Sequence, residues 1–220
     1  MMETPKLPLE KFGHYFQNVY EPAEDTFLLI DALEQDIETI IRLKPLICLE
    51  IGTGSGSVIT SLAKKLGPNQ CFYLATDLNG EALECSRKCF EYNTLIDNLH
   101  PIRCNLSQAF RSDLLSDLIV FNPPYVPTDS NESLESSDII AAAWAGGKDG
   151  RQIIDRFIDE TLVNHLNRPN GLAYLVALEQ NRIDDIIHRA KQNNFKCQRI
   201  LTRRCGIEKL SILKFEHQHK

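Results

Sequence analysis

Residues 46–67, LICLEIGTGSGSVITSLAKKLG, constrain the fold more than any other stretch. The apolar run LICLEI is short enough for a buried strand. A loop carrying Gly52, Gly54 and Gly56 follows. Val58, Ile59, Leu62 and Leu66 then recur at helical spacing until Gly67 and Pro68 stop them. A strand that feeds a helix through a glycine turn is half of a strand–helix–strand crossover. Such crossovers build parallel sheets covered on both faces, with ligands at the carboxyl ends of the strands.

The remainder of the chain repeats the alternation. Pro22 suits a first helical turn, Glu24 and Asp25 favour the positive helix end, and Phe27, Ile30 and Leu33 share a face, so 22–43 is expected to be one helix. CFYLATD (71–77) reads as the second strand, and Asn79 can cap a helix running to Tyr92. HPIRCN (100–105) and SDLIVF (116–121) are the third and fourth strands. Residues 151–166 read as helix and GLAYLVAL (171–178) as the fifth strand. Ile183, Ile186, Ile187 and Ala190 mark a further helix, and runs at 196–203 and 208–215 meet at Gly206. These last two are close enough for a hairpin, so one of them runs antiparallel. The expected fold is α/β: a seven-stranded, mostly parallel sheet with one antiparallel strand and helices on both faces. The segment 127–150 is a long connection, a place where function often sits.

A chain of 220 residues suits one domain. No apolar run reaches the ~20 residues of a membrane helix, so no membrane partner is expected. MMETPKLPLEKFG lacks the basic-then-apolar order of a signal peptide. Seven cysteines, an odd number without a C-x-x-C pair, read as reduced thiols in the cytosol or nucleus. Cys85 and Cys89 lie one helical turn apart with His100 downstream, but they read more simply as small core residues, and no metal is assigned. The net charge of −6, without a basic stripe, makes this chain a poor nucleic-acid binder. His217 and His219 are read as solvated.

The chemistry concentrates at two places. In LEIGTGSGS (49–57) the spacing is G-x-G-x-G, with Ser57 where a dinucleotide fingerprint needs glycine. Glu50 precedes the loop. A carboxylate there repels a pyrophosphate but suits a cationic amino-acid group, and S-adenosylmethionine carries an ammonium, a sulfonium and no phosphate. Asp77, at the end of the second strand, can accept both ribose hydroxyls. The second place is FNPPYVP (121–127). The Asn122 side-chain oxygen and the Pro123 carbonyl can accept the two N–H protons of a planar NH₂ group. Pro123 and Pro124 stiffen that geometry, and Tyr125 can stack on a flat target.

LEIGTGSG, ATD and FNPPY, in this order, resemble the class I S-adenosylmethionine-dependent methyltransferases that act on amino groups. VYEPAEDTFLLIDAL (19–33) and AAWAGGKDGRQIIDRF (142–157) are similar to the eukaryotic and archaeal branch of the HemK-like protein glutamine methyltransferases. The resemblance covers 19–215, which leaves an extension at 1–18 and a tail at 216–220 outside one Rossmann-like domain. It implies S-adenosylmethionine as cofactor. The loop at Thr26 would lie over it, Glu50, Gly52 and Gly54 would hold the methionine part, and Asp77 would hold the ribose. Asn105 and Leu106 would lie near the adenine, and Asn105 stands where the family usually has aspartate. Asn122, which also borders the cofactor, would hold the substrate amide together with Pro123, Pro124 and Tyr125. Trp144, Gly146, Gly147 and Gly150 would line the substrate entrance. The implied reaction is N5-methylation of the glutamine in the Gly-Gly-Gln loop of a class I translation termination factor. The implied partner is a small zinc-binding activator subunit, for which the edge strand HPIRCN is a candidate contact. Two other planar or basic nitrogens compete as targets: a protein lysine, as in histones, and adenine N6 in nucleic acid.

Overall fold

In a computed structural model, residues 2–128 and 143–218 are described. Expectations that fall on 129–142 and on His219 lie outside the described residues. The strands are β1 (Ile47–Ile51), β2 (Phe72–Asp77), β3 (Leu99–Arg103), β4 (Leu118–Phe121), β5 (Leu172–Leu178), β6 (Phe195–Cys205) and β7 (Glu208–His217). They form one sheet in the order β3-β2-β1-β4-β5-β7-β6. β7 is antiparallel to both of its neighbours, and the other pairings are parallel. The chain runs outward from β1 to β3 and then returns to β4 on the other side of β1. The gap between the carboxyl ends of β1 and β4 is therefore the topological switch point, where open α/β sheets bind ligands.

Among the described residues, the helices used below are α1 (Leu9–Phe12), α2 (Glu24–Gln35), α3 (Ile37–Leu43), α4 (Ser57–Leu66), α5 (Gly80–Thr94), α6 (152–165) and α7 (Ile183–Gln192). α4 lies on the face of β1 that carries Glu50, whose carboxylate accepts the Ile59 N–H at 3.3 Å. The opposite face carries Ile51 and its partner Phe121. The Phe121 ring packs on Phe157 of α6, centroids 5.1 Å apart. Alternation along the strand thus puts α4 and α6 on opposite faces.

Three expectations are corrected. The single helix over 22–43 is two, broken at Asp36. The Asp36 carboxylate accepts the Tyr174 hydroxyl at 2.5 Å and pairs with Lys214, so partners on β5 and β7 pull this residue out of helical geometry. α6 widens to a π-type turn over Phe157–Leu162, which brings Phe157, Ile158, Thr161 and Leu162 all inward. His217 is not simply solvated: its ring lies 4.8 Å from that of Phe195, with Nε2 3.2 Å from the Leu166 carbonyl.

The N-terminal residues pack across α4 and α5. Phe12, Tyr15 and Val19 cover Cys85 and Cys89, which gives these cysteines the packing role. Lys88 Nζ donates to the Tyr15 hydroxyl at 2.6 Å, and Asn93 exchanges hydrogen bonds with the Lys6 backbone at 2.7 and 3.0 Å. No helix among the described residues is long and apolar enough to cross a membrane.

Candidate active site

The glycine loop connects three strand ends. Gly52 has φ +59°, and an added Cβ would lie 3.2 Å from the Phe121 ring and 4.0 Å from the Asn122 carbonyl, so the loop lies against the start of the Asn-Pro-Pro-Tyr turn. On the other side, the Thr53 N–H donates to the Thr76 carbonyl at 2.9 Å and the Gly54 N–H to Asp77 Oδ2 at 3.0 Å. At Gly54 an added Cβ would meet nothing within 4 Å among the described residues, which leaves an open face there. Gly56 serves packing instead, since a Cβ there would come within 2.6 Å of the Ser86 backbone on α5.

Glu50 is buried at the floor of this loop. It accepts the Thr53 hydroxyl at 2.7 Å as well as the Ile59 N–H. Burial pushes its carboxyl up to about 8, against the pull of those two donors, and the charge of Asp77 adds to the rise. Burial also raises Asp77, whose second oxygen accepts the Asn79 N–H at 2.9 Å. Asn79 caps α5 through Glu81 N–H at 3.0 Å, as its type and position predict. The Cys104 N–H donates to the Asp77 carbonyl at 3.1 Å, which places Asn105 and Leu106 beside the second strand end. Arg156 on α6 donates to Asn105 Oδ1 at 3.4 Å.

The turn after β4 is held from below by α2. Asn122 Nδ2 and the Tyr125 hydroxyl both donate to Asp25 Oδ2, each at 2.9 Å. Asn122 Oδ1 is buried and has no hydrogen-bond partner among the described residues. Tyr125 is 9 % exposed, so in this state its ring is packed rather than offered for stacking. Burial, reinforced by the Asp25 charge and hydrogen bond, raises its phenol above the ordinary value. Thr26 adjoins the cluster, its N–H donating to Asp25 Oδ1 at 2.7 Å.

From the other side the turn is fastened by a residue that the sequence did not single out. Asn181 is fully buried. Its Nδ2 donates to the carbonyls of Tyr125 at 2.7 Å and Asp149 at 2.9 Å, and its Oδ1 accepts the Leu178 N–H at 2.6 Å. Nothing in the LEQN stretch distinguishes it from a turn asparagine. Gly146 and Val126 complete the contact, the Gly146 N–H donating to the Val126 carbonyl at 2.8 Å. The Trp144–Gly150 segment therefore packs directly on the Asn-Pro-Pro-Tyr turn, with Trp144 itself 42 % exposed rather than in the core. Asn181→Ala strands the Leu178 N–H and two carbonyls in the interior. We expect a loss of roughly 3 kcal/mol in chemical denaturation, given ~1–3 kcal/mol per stranded group.

The expected cofactor and substrate residues are thus gathered at the carboxyl ends of β1, β2 and β4. They fit a cationic amino-acid group at Glu50, a ribose at Asp77 and an N–H donor at Asn122. The orphaned Asn122 oxygen costs ~1–3 kcal/mol until a donor reaches it, and the open face at Gly54 admits a ligand.

Comparison with known proteins identifies the family. Residues 24–154 match the model of the methyltransferase small domain. The chain is 40% identical to Methyltransferase HEMK2 of Mus musculus over 97% of its own length and 99% of that protein's. It is 34% identical to the eRF1 methyltransferase catalytic subunit mtq2 of Schizosaccharomyces pombe, over 97% of this chain and 95% of the relative. Among solved structures, it resembles the E. cuniculi Mtq2–Trm112 complex, described as responsible for methylation of the eRF1 translation termination factor. That match has a TM-score of 0.67 at 31% identity and covers 91% of this chain and 99% of that one. Since the family model spans more than half of the chain and the relatives nearly all of it, the chain belongs to the HemK-like methyltransferases of the methyltransferase small domain family.

Proposed function

We infer that the chain transfers a methyl group from S-adenosylmethionine to the side-chain amide nitrogen of the glutamine in the Gly-Gly-Gln loop of a class I translation termination factor. The observation that carries this reading is the buried Asn122 Oδ1, which has no hydrogen-bond partner among the described residues, on a residue whose backbone carbonyl lies against Gly52 of the glycine loop. The activity named for the Schizosaccharomyces pombe relative supports the choice of substrate.

S-adenosylmethionine supplies a methyl group already activated on a sulfonium, so the protein's task is placement. Glu50 receives the methionyl ammonium, Asp77 the ribose hydroxyls, and Thr26, Gly52, Gly54, Asn105 and Leu106 border the rest. Asn122 Oδ1 and the Pro123 carbonyl accept the two N–H groups of the substrate amide. An amide nitrogen is a poor nucleophile because its lone pair is delocalised. The two acceptors hold it in place and stabilise the positive charge that grows on its N–H groups. As the new N–C bond would form, the methyl–sulfur bond would break and S-adenosylhomocysteine would leave. The methylated amide, a strong acid at that point, would give up one proton to water without a dedicated base. A lysine target arrives protonated and needs a base. Asp25, the carboxylate touching Asn122, is already taken up by Thr26, Asn122 and Tyr125. For the partner, β3, the last strand at its end of the sheet, is the proposed seat of a small activator subunit; the solved E. cuniculi relative is a complex with Trm112, which supports a partner of that kind. Seven unpaired cysteines suit a reducing compartment, the cytosol or nucleus.

Methyl transfer with labelled cofactor tests the reading. The chain is co-expressed with the activator and offered the termination factor, the same factor with its Gly-Gly-Gln glutamine changed, DNA and histones. Label on the intact factor alone is expected. Label on DNA or histones with none on the factor overturns the substrate.

The Glu50 carboxyl also sets a pH dependence. Its usual 4.5 becomes about 8 in the fold, so the folded state favours the proton. That contribution to stability is full below about 4.5 and is lost as the pH rises through about 8. A bound ammonium reverses the preference, so cofactor binding near neutral pH releases a proton. Calorimetry in buffers of different ionisation enthalpy should detect it. In Glu50→Gln the proton release disappears, cofactor affinity falls, and the ligand-free chain loses less thermal stability between about pH 5 and about pH 8 than the wild type.

A further inference from the structure

We propose that Asp25 is a positioning residue for the methyl transfer, holding the Asn122 side chain in the one orientation that presents its oxygen, not its nitrogen, to the substrate. The proposal rests on the reading of Asn122 as the acceptor of the substrate amide.

Asp25 is 4 % exposed. Its neighbours are donors. Oδ2 takes Asn122 Nδ2 and the Tyr125 hydroxyl, Oδ1 takes the Thr26 N–H, and the Tyr20 hydroxyl lies 3.2 Å from both oxygens. Among the described residues no cation pairs with it. A buried carboxylate satisfied only by neutral donors is a costly arrangement for simple packing, since an apolar side chain would fill the space without it.

The chemistry of the carboxylate decides the orientation. An ionised aspartate can only accept, so the side-chain amide of Asn122 must face it with Nδ2. Turning that amide over would place two oxygens 2.9 Å apart with no hydrogen between them. The locked orientation leaves Oδ1 as the other end, and among the described residues that atom has no partner. A charged acceptor on Nδ2–H also pushes electron density toward Oδ1 and makes it a stronger acceptor. Because Oδ2 is shared with Tyr125, a single atom of α2 ties together both polar side chains of the Asn-Pro-Pro-Tyr turn.

The alternative is that Asp25 merely supplies negative charge at the start of α2. Turnover by the complex with its activator separates the two. Wild-type methylation of the termination factor is measured first; its absence overturns the substrate reading, not this proposal. Asp25→Asn keeps the shape and hydrogen-bonds α2 through one oxygen, but its NH₂ group drives Asn122 to turn over. We expect kcat to fall about 100-fold, with cofactor affinity within about threefold. In an Asn122→Ala background the same change should cost less than about twofold further, because the residue it acts through is gone. Retention of wild-type kcat in Asp25→Asn, or a full additional loss in the Asn122→Ala background, overturns the proposal. If Asp25→Asn does not fold, the wild-type protein still decides. In ¹⁵N–¹H spectra the carboxylate-bound proton of Asn122 Nδ2 should lie well downfield of its twin and exchange slowly. Two Asn122 amide protons at ordinary positions, exchanging fast, overturn the proposal.

Discussion

Asn122→Ala is expected to lower kcat on the termination factor by about 10²–10³-fold, the usual cost of removing one preorganised contact to developing charge. Cofactor affinity should change far less, because Glu50 and Asp77 sit on separate strand ends. The loss belongs in kcat rather than KM, since an acceptor on the amide N–H groups matters most as positive charge grows on them. Asn122→Asp should fail as well. It sets a second carboxyl 2.9 Å from Asp25, where both cannot ionise. One of them takes up a proton, and the free acceptor is lost or misplaced. Steady-state kinetics together with cofactor titration by calorimetry separate these outcomes.

Gly150→Ala is expected to damage both stability and turnover. Gly150 has φ +65°, and a Cβ there would fall 1.9 Å from the Tyr125 carbonyl oxygen and 2.4 Å from Asn181 Nδ2. Neither neighbour can yield easily, because Asn181 is fully buried and the Tyr125 carbonyl accepts its hydrogen bond. The turn bearing Asn122 must shift. We expect a loss on the order of 3 kcal/mol, which for a chain of this size lowers Tm by roughly 6–12 °C, with turnover falling alongside. Gly54→Ala is the contrast. It has φ +51°, with no atom of the described residues within 4 Å of an added Cβ. Backbone strain of about 1–2 kcal/mol is its whole structural cost, yet it narrows the face expected to admit the cofactor. Its main effect should be on cofactor affinity. Equal stability losses in the two variants would contradict this division of labour.

Local patterns in the sequence carried the fold. The strand–glycine–helix unit at 46–67, the Asn79 cap and the final hairpin all depend on neighbours a few residues away, and each stands where periodicity and turn chemistry put it. The break at Asp36 depends on Tyr174 and Lys214, which no local window contains. Asp25 could be read as a first-turn acid of α2. Its contacts with Asn122 and Tyr125 cross 97 and 100 residues and exist only once β4 and α2 meet. Asn181 is hidden for the same reason: its partners lie 56 and 32 residues upstream. The placement of the motif residues at strand ends was legible because it follows from their position in a crossover, and the roles proposed for them follow from side-chain chemistry. The residues that hold those motifs in place were not, because packing assigns that role.

The most direct test of the central claim is peptide mapping by mass spectrometry of the termination factor after incubation with S-adenosylmethionine and the chain in complex with the proposed activator. The account predicts one added methyl group, on the side-chain nitrogen of the Gly-Gly-Gln glutamine, absent with Asn122→Ala. A methyl group on any other residue of the factor, or full methylation by the Asn122→Ala variant, would contradict it.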